Sequence, residues 1–313
     1  MFHITIVKRI NMNHFSSHIL MTYPKNFRSN ELTLNDNTFQ KNTSNLSNGE
    51  INIKAIEEFE LLKNEIESEG IKVTVFKDER DVDTPDAVFP NNWISFHKGN
   101  KAITYPMFAK NRRLERTNLA IECLNNNGEN ISIYKDYSNF ENNNMFLEGT
   151  GSLVLDRINR IAYCSLSQRS NKELVNKFCL DMGYNPVLFK SFHQDKPIYH
   201  TNVVLSICNK FSVICLESII DKKEREVVAN SLISNGLEII DISISQMSSF
   251  GANCIQLNGK SGPVLVMSSK AYSSFNDNQL DIIKKNTQIV YSSLENIENN
   301  SGGSARCMIA EVF

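Results

Sequence analysis

Apolar residues fall into short runs of four or five separated by polar turns, with a helically spaced stretch after every second run. Asn92-Trp93-Ile94-Ser95-Phe96 predicts a strand and Lys101-Ala102-Ile103-Thr104-Tyr105 its hairpin partner. A helix over 111–126 and a strand over 131–134 follow. The same order returns as strands 153–155 and 161–163, a helix over 170–182 and a strand over 187–189. It returns again as 203–207, 211–215, 222–235 and 237–240, and again as 254–257, 264–267, 277–286 and 288–291. A last copy is divided between the ends: strands 307–312 and 18–21, a helix over 51–69 and a strand over 71–75.

Self-similarity at roughly 50 residues marks a repeat architecture, and a copy shared by both ends implies closure into a ring. The predicted fold class is α/β: five ββαβ units, the last closed by N- and C-terminal segments. An irregular α/β domain, whose strands and helices merely alternate, is the competing reading. Residues 17–313 read as a single domain. Residues 1–16 lack periodicity and read as an N-terminal extension, with Met12 an alternative start. The polar stretch 36–50, rich in Asn, Ser and Thr, reads as an exposed loop.

Composition narrows the function. The 313 residues carry a formal charge of −2, with 41% hydrophobic and 22% charged residues, as in ordinary soluble proteins. No basic block interleaves with aromatics, which disfavours a nucleic-acid or anionic-membrane partner. No apolar run approaches the ~20 residues that span a bilayer, and the N-terminal apolar stretch is too short for a signal peptide. Seven cysteines form no C-x-x-C pair and are odd in number. That argues against a disulfide framework or a zinc site, and suggests a reducing cytoplasm.

The repeat places Asn92, Glu148, His200, Asn253 and Cys307 just ahead of the five first strands. In a closed ring those positions converge on the axis, and three of them supply a nucleophile, a base and a carboxylate. Cys307 follows the flexible Gly302-Gly303 pair and needs a base or a positive field to become thiolate. His200 precedes an unbroken apolar strand, which would hold its imidazole fixed. Glu148, followed by Gly149-Thr150-Gly151, would orient that imidazole or hold a substrate nitrogen. Taken singly, each has a plainer reading as a core thiol, a structural histidine and a turn carboxylate. The other histidines have no patterned neighbours and read as structural.

At these residues the chain resembles the pentein superfamily, which includes arginine deiminases, dimethylarginine dimethylaminohydrolases and amidinotransferases. The resemblance rests on Pro85-Asp86-Ala87-Val88-Phe89-Pro90-Asn91-Asn92-Trp93, Leu147-Glu148-Gly149-Thr150-Gly151, His200-Thr201-Asn202 and Gly303-x-x-x-Cys307. Asn111-Arg112-Arg113-Leu114-Glu115 and Ser167-Gln168-Arg169-Ser170-Asn171 resemble that group's two arginine segments. Within the superfamily the chain is most similar to the citrulline-utilisation hydrolases. The resemblance implies a five-bladed α/β propeller, no metal and no organic cofactor. It also implies Cys307 as nucleophile, His200 as general acid/base and Glu148 as its carboxylate partner. Asp86 would receive the substrate α-ammonium, and Arg113 and Arg169 would clamp its α-carboxylate. Whether Arg112 or Arg113 faces inward stays open.

Two positions depart from the guanidine-processing pattern. Asn92 and Asn202 stand where carboxylates would hold a guanidinium. A urea group is neutral, with an oxygen that wants donors and nitrogens that want acceptors, and Asn supplies both. Carboxylates facing it would be poorly paired, at about 3–5 kcal/mol for a broken buried charge pair. At 1.36 kcal/mol per decade that discriminates roughly 10²- to 10⁴-fold. With Asn253 as a further substrate contact, the expectation is citrulline hydrolysis to ornithine, ammonia and carbon dioxide through an S-carbamoyl-cysteine. The rivals are an arginine or dimethylarginine hydrolase of the same fold, and a non-catalytic protein that only binds an amino acid. The expected partner is the small amino-acid substrate, with a homodimer allowed.

Overall fold

In the computed structural model, residues 14–34, 37–41 and 46–313 are described. They contain five three-stranded sheets of one topology: the first strand is antiparallel to the middle strand, and the middle is parallel to the third. A parallel neighbour requires a crossover, and in every sheet a helix supplies it. Sheet one comprises Ile94–His97, Lys101–Thr104 and Ser132–Asp136. Sheet two has Val154–Asp156, Ile161–Ser165 and Asn185–Phe189, and sheet three has Leu205–Ile207, Phe211–Ile214 and Glu238–Asp241. Sheet four has Ile255–Gly259, Gly262–Ser268 and Gln288–Ser292. Sheet five joins Ala310–Val312 to His18–Thr22 and Lys72–Phe76, with His18 opposite Val312.

The alternation along the middle strands explains how the sheets meet. Successive side chains point to opposite faces. Ile19 and Met21 therefore pack with Val264 and Val266 of sheet four, while Leu20 packs with Ile94 of sheet one. Ala102 likewise turns toward sheet five and Ile103 toward sheet two. In sheet two, Ala162 and Cys164 face sheet one, whereas Ile161 and Tyr163 join a core shared with sheets three and four. Middle strands are thus buried on both faces and read as continuous apolar runs. Contacts pass from sheet to sheet and return to the first.

The helices have local causes. Ser47 with Glu50, and Asn276 with Gln279, form capping boxes, and Asn171 and Asp221 cap two more. The helix expected over 111–126 is broken into a 3₁₀ turn, Asn111–Glu115, and a helix, Leu119–Asn126. Between them Arg116 is extended, its guanidinium held by Glu141 and the Tyr105 carbonyl. The first strands also start later than expected. Cys307, expected on a strand, lies in the 3₁₀ turn Ala305–Met308.

The loop expected to be exposed over 36–50 is buried in part: Asn37, Phe39 and Gln40 are covered. Asn37 donates to the Ser301 carbonyl at 2.7 Å, and Phe39 stacks on His193. Most of the expected extension lies outside the described residues, but Ser16 accepts a bond from the Asn258 N–H at 2.8 Å. Among the described residues no helix is long and apolar enough to cross a membrane.

Candidate active site

Asn92, Glu148, His200 and Cys307 sit in or just before a tight turn ahead of a first strand. Such turns are Pro90–Asn92, Gly149–Ser152, Thr201–Val203 and Ala305–Met308. A turn re-aims the chain before the strand fixes its direction, so the side chains gather while the strands diverge. The helix Glu295–Ser301 ends at Gly302, whose φ of 70° is left-handed. A Cβ there would lie 2.6 Å from Asn37 Oδ1, so the position needs glycine. Cys307 follows, 3% exposed.

Two amides face its sulfur. Asn202 Nδ2 lies 3.4 Å and Asn253 Nδ2 3.3 Å from Sγ. Asn253 is held in turn: its Oδ1 accepts the Arg306 N–H at 3.1 Å, and its Nδ2 also donates to the Asn202 carbonyl at 3.1 Å. His200 Nε2 donates to Glu148 Oε2 at 2.7 Å. A carboxylate acceptor fixes the proton on Nε2 and leaves Nδ1 as the basic nitrogen of the neutral ring. Glu148 is fully buried, accepts the Phe108 N–H at 2.9 Å, and lies 3.5 Å from Arg169. Burial alone would raise its pKa, but Arg169, His200 and Arg112 hold it far below the usual carboxylate range. Burial lowers the His200 pKa, and Glu148 offsets part of that.

Gly151 makes room for this pair. A Cβ there would lie 2.4 Å from Asn92 Nδ2 and 2.8 Å from His200 Nδ1.

A second group borders the same cavity. Asp86 Oδ2 accepts from Asn30 Nδ2 at 2.6 Å and lies 3.8 Å from Arg112 Nε. Among the described residues, Asp86 Oδ1 finds no hydrogen-bond partner, and burial raises this carboxyl's pKa against the pull of Arg112. Arg112 donates to Asn92 Oδ1 at 2.8 Å and grips Glu115 through two bonds of 2.9 and 3.0 Å. Burial lifts the Glu115 pKa to about 7, with Arg112 opposing.

The cavity wall includes Asp86, Asn92, Arg112, Arg169, His200 and Cys307, together with Thr33, Asn37 and Tyr199. Glu148, Asn202 and Asn253 stand directly behind it through the bonds above. Arg113 does not belong. Its Nε donates to the Met107 carbonyl at 3.0 Å and lies 3.5 Å from Glu141, and the side chain is partly exposed. The inward arginine is Arg112, because the 3₁₀ turn points it at Glu115 three residues on. That Arg-x-x-Glu spacing was a usable signal. Asn30, Thr33 and Asn37 gave none, since they come from an irregular segment that only the fold brings to Asp86 and the cavity wall.

The family described as N,N dimethylarginine dimethylhydrolase, eukaryotic, matches residues 23–313. No curated protein matches the chain closely enough to count as a relative. Among solved structures, the N-terminal domain of ArgZ, a cyanobacterial arginine dihydrolase, superposes with a TM-score of 0.73 at 16% identity, over 94% of this chain and 97% of that one. A mutant of AgrE in complex with L-arginine gives 0.72 at 16%, over 95% of this chain and 40% of the other. A dimethylarginine dimethylaminohydrolase carrying an S-methyl-L-thiocitrulline adduct gives 0.62 at 15%, over 95% and 99%. At such identities the likeness is one of fold. With its mixed α/β fold and the match over nearly its whole length, the chain belongs to the N,N dimethylarginine dimethylhydrolase family of hydrolases, within the pentein superfamily.

Proposed function

We propose that this protein cleaves the ureido group of L-citrulline at Cys307, giving ornithine, ammonia and carbon dioxide. The carrying observation is the character of the groups beside the sulfur. Among the described residues, Sγ is hydrogen-bonded by the neutral amides of Asn202 and Asn253. Glu148, behind the wall, is engaged by His200 and Arg169, and Asp86 is held through Oδ2 by Asn30 and Arg112, which leaves its Oδ1 for a substrate ammonium. At the sulfur itself a guanidinium would meet neutral amides rather than a carboxylate, whereas a urea oxygen finds N–H donors there.

On this reading the Cys307 thiolate attacks the ureido carbon, and the amide donors stabilise the developing oxyanion. His200 protonates the departing amine of ornithine. The S-carbamoyl enzyme then reacts with a water deprotonated by His200, releasing carbamate, which decays to ammonia and carbon dioxide. Asp86 Oδ1 would take the α-ammonium, and Arg112 and Arg169 the α-carboxylate. Such positioning contributes several kcal/mol when the geometry is right. The five like sheets, whose contacts return to the first, support a five-bladed propeller with the thiol at its axis. Seven free thiols suit the reducing cytoplasm expected from the sequence.

Arginine or dimethylarginine hydrolysis is the second reading, favoured by the family's description. Supplying citrulline, arginine and dimethylarginine separately decides between them. Ornithine from citrulline, lost in Cys307→Ala, is expected, with kcat/KM at least ~10²-fold above that for arginine, the low end of the charge-pair argument. Citrulline accumulating from arginine would overturn the assignment.

A further inference from the structure

The strands that begin at the thiol end at another cavity. Site residues precede their strands, whereas Leu205–Lys210 and Val154–Asn159 belong to first strands and the turns that leave them. These segments, with Ile255, Arg306 and Glu311, enclose about 440 Å³. That falls within the roughly 300–1,000 Å³ of small-molecule sites. Apolar walls come from Val154, Leu205 and Ile255, and cations from Arg157, Lys210 and Arg306. Of the two carboxylates, Asp156 is occupied by the N–H groups of Ile158 and Asn159 at 3.0 and 2.8 Å. Glu311 is divided between Arg157 at 3.5 Å and Arg306 at 3.4 Å. Three cations thus face two carboxylates, one of which is turned to backbone N–H groups.

Arg306 also reaches the other site. Its backbone N–H donates to Asn253 Oδ1 at 3.1 Å, and Asn253 Nδ2 lies 3.3 Å from Cys307 Sγ. The guanidinium meanwhile holds the Ile309 carbonyl at 2.9 Å, just before the last strand. We propose that this cavity is a second small-molecule site for an anion with an apolar body, whose occupancy is transmitted to the thiol through Arg306. An anion competing with Glu311 for Arg306 shifts the turn that carries Cys307. A carboxylate and a phosphate monoester share the required chemistry.

The test uses the full chain at constant ionic strength, with benzoate and phenyl phosphate as probes and benzamide as the neutral control. Thermal melting reads binding, since a ligand of the folded state raises Tm. Iodoacetamide labelling of Cys307, followed by mass spectrometry, reads coupling without any turnover, so failure here is distinct from failure of the citrulline reading. At least one anion should raise Tm and change the labelling rate threefold or more, and whichever does so identifies the head group. Both effects should vanish in Arg157→Ala/Lys210→Ala, whose unliganded melting stays near that of the parent. The proposal is overturned if neither anion shifts Tm, if benzamide does as well, if the double variant responds unchanged, or if binding leaves labelling unaltered.

Discussion

At the scale of single residues, the hydrogen bond between His200 and Glu148 carries the sharpest consequences. Burial lowers the His200 pKa from its ordinary 6.5 while Glu148 raises it in part. The neutral imidazole, the form that the proposed reaction needs to take up the thiol proton, therefore predominates at neutral pH. The acid limb of kcat/KM should fall below pH 6.5, with activity lost as pH drops through it. Glu148→Gln removes the group that raises the pKa, so the limb should move further toward acid. Turnover should fall by about 10²- to 10⁴-fold, the usual worth of a positioned acid–base pair. A limb that moves upward in this variant would contradict the pairing. The two neighbouring arginines offer an independent comparison. Arg112 holds Asn92 and Glu115 with a planar fork that lysine cannot reproduce. Arg112→Lys should raise KM by roughly tenfold or more, about the worth of one charged hydrogen bond. Arg113→Lys, at a side chain that meets Met107, Phe108, Glu141 and the Phe146 ring, should leave KM within about twofold. Steady-state kinetics on citrulline would show whether the order is reversed.

Between residues and the whole lie the tight turns ahead of the first strands. The turn Gly149–Ser152 brings its backbone against Asn92 and His200 from two neighbouring units. A single methyl on Gly151 would meet both side chains. Gly151→Ala should therefore lower kcat/KM by about 10²-fold, because displacements near 1 Å cost that much in a positioned site. Because the clash is with site side chains, folding should be less affected, and circular dichroism beside kinetics would separate the two effects. Wild-type activity in this variant would mean that the gap at Gly151 does not constrain the pair.

For the molecule as a whole, sheet five unites both ends of the chain. Ala310–Val312 pairs with His18–Thr22, and Val312 and Ala310 pack in the core that joins sheets five and one. Removing residues 309–313 strips that strand and exposes Leu20 and Ile94. The truncated chain should melt at least 10 °C lower, since a loss of 1 kcal/mol shifts Tm by about 2–4 °C in chains of 150–250 residues. Cysteines buried in the parent should then react rapidly with iodoacetamide. Unchanged melting would show that the terminal strand is dispensable.

The period of the apolar runs was enough to find five like units, because middle strands buried on both faces leave an uninterrupted signal. It also assigned the split unit to the two ends of the chain, and it singled out Cys307, His200 and Glu148 through their places ahead of first strands. The Arg-x-x-Glu spacing was the local hint for Arg112 over Arg113, but which of them faces inward depends on the turn that replaces the expected helix before Arg116. Local spacing could not show that, in a polar stretch, Asn37 is buried at the cavity wall and Phe39 in the neighbouring core. The sequence by itself determined which residues repeat and which chemistry they carry, because repetition and residue type are local properties. Only the tertiary structure decided which side chains meet, because Asn30 and Asp86, or Asn253 and Cys307, are brought together by packing between units distant in the chain.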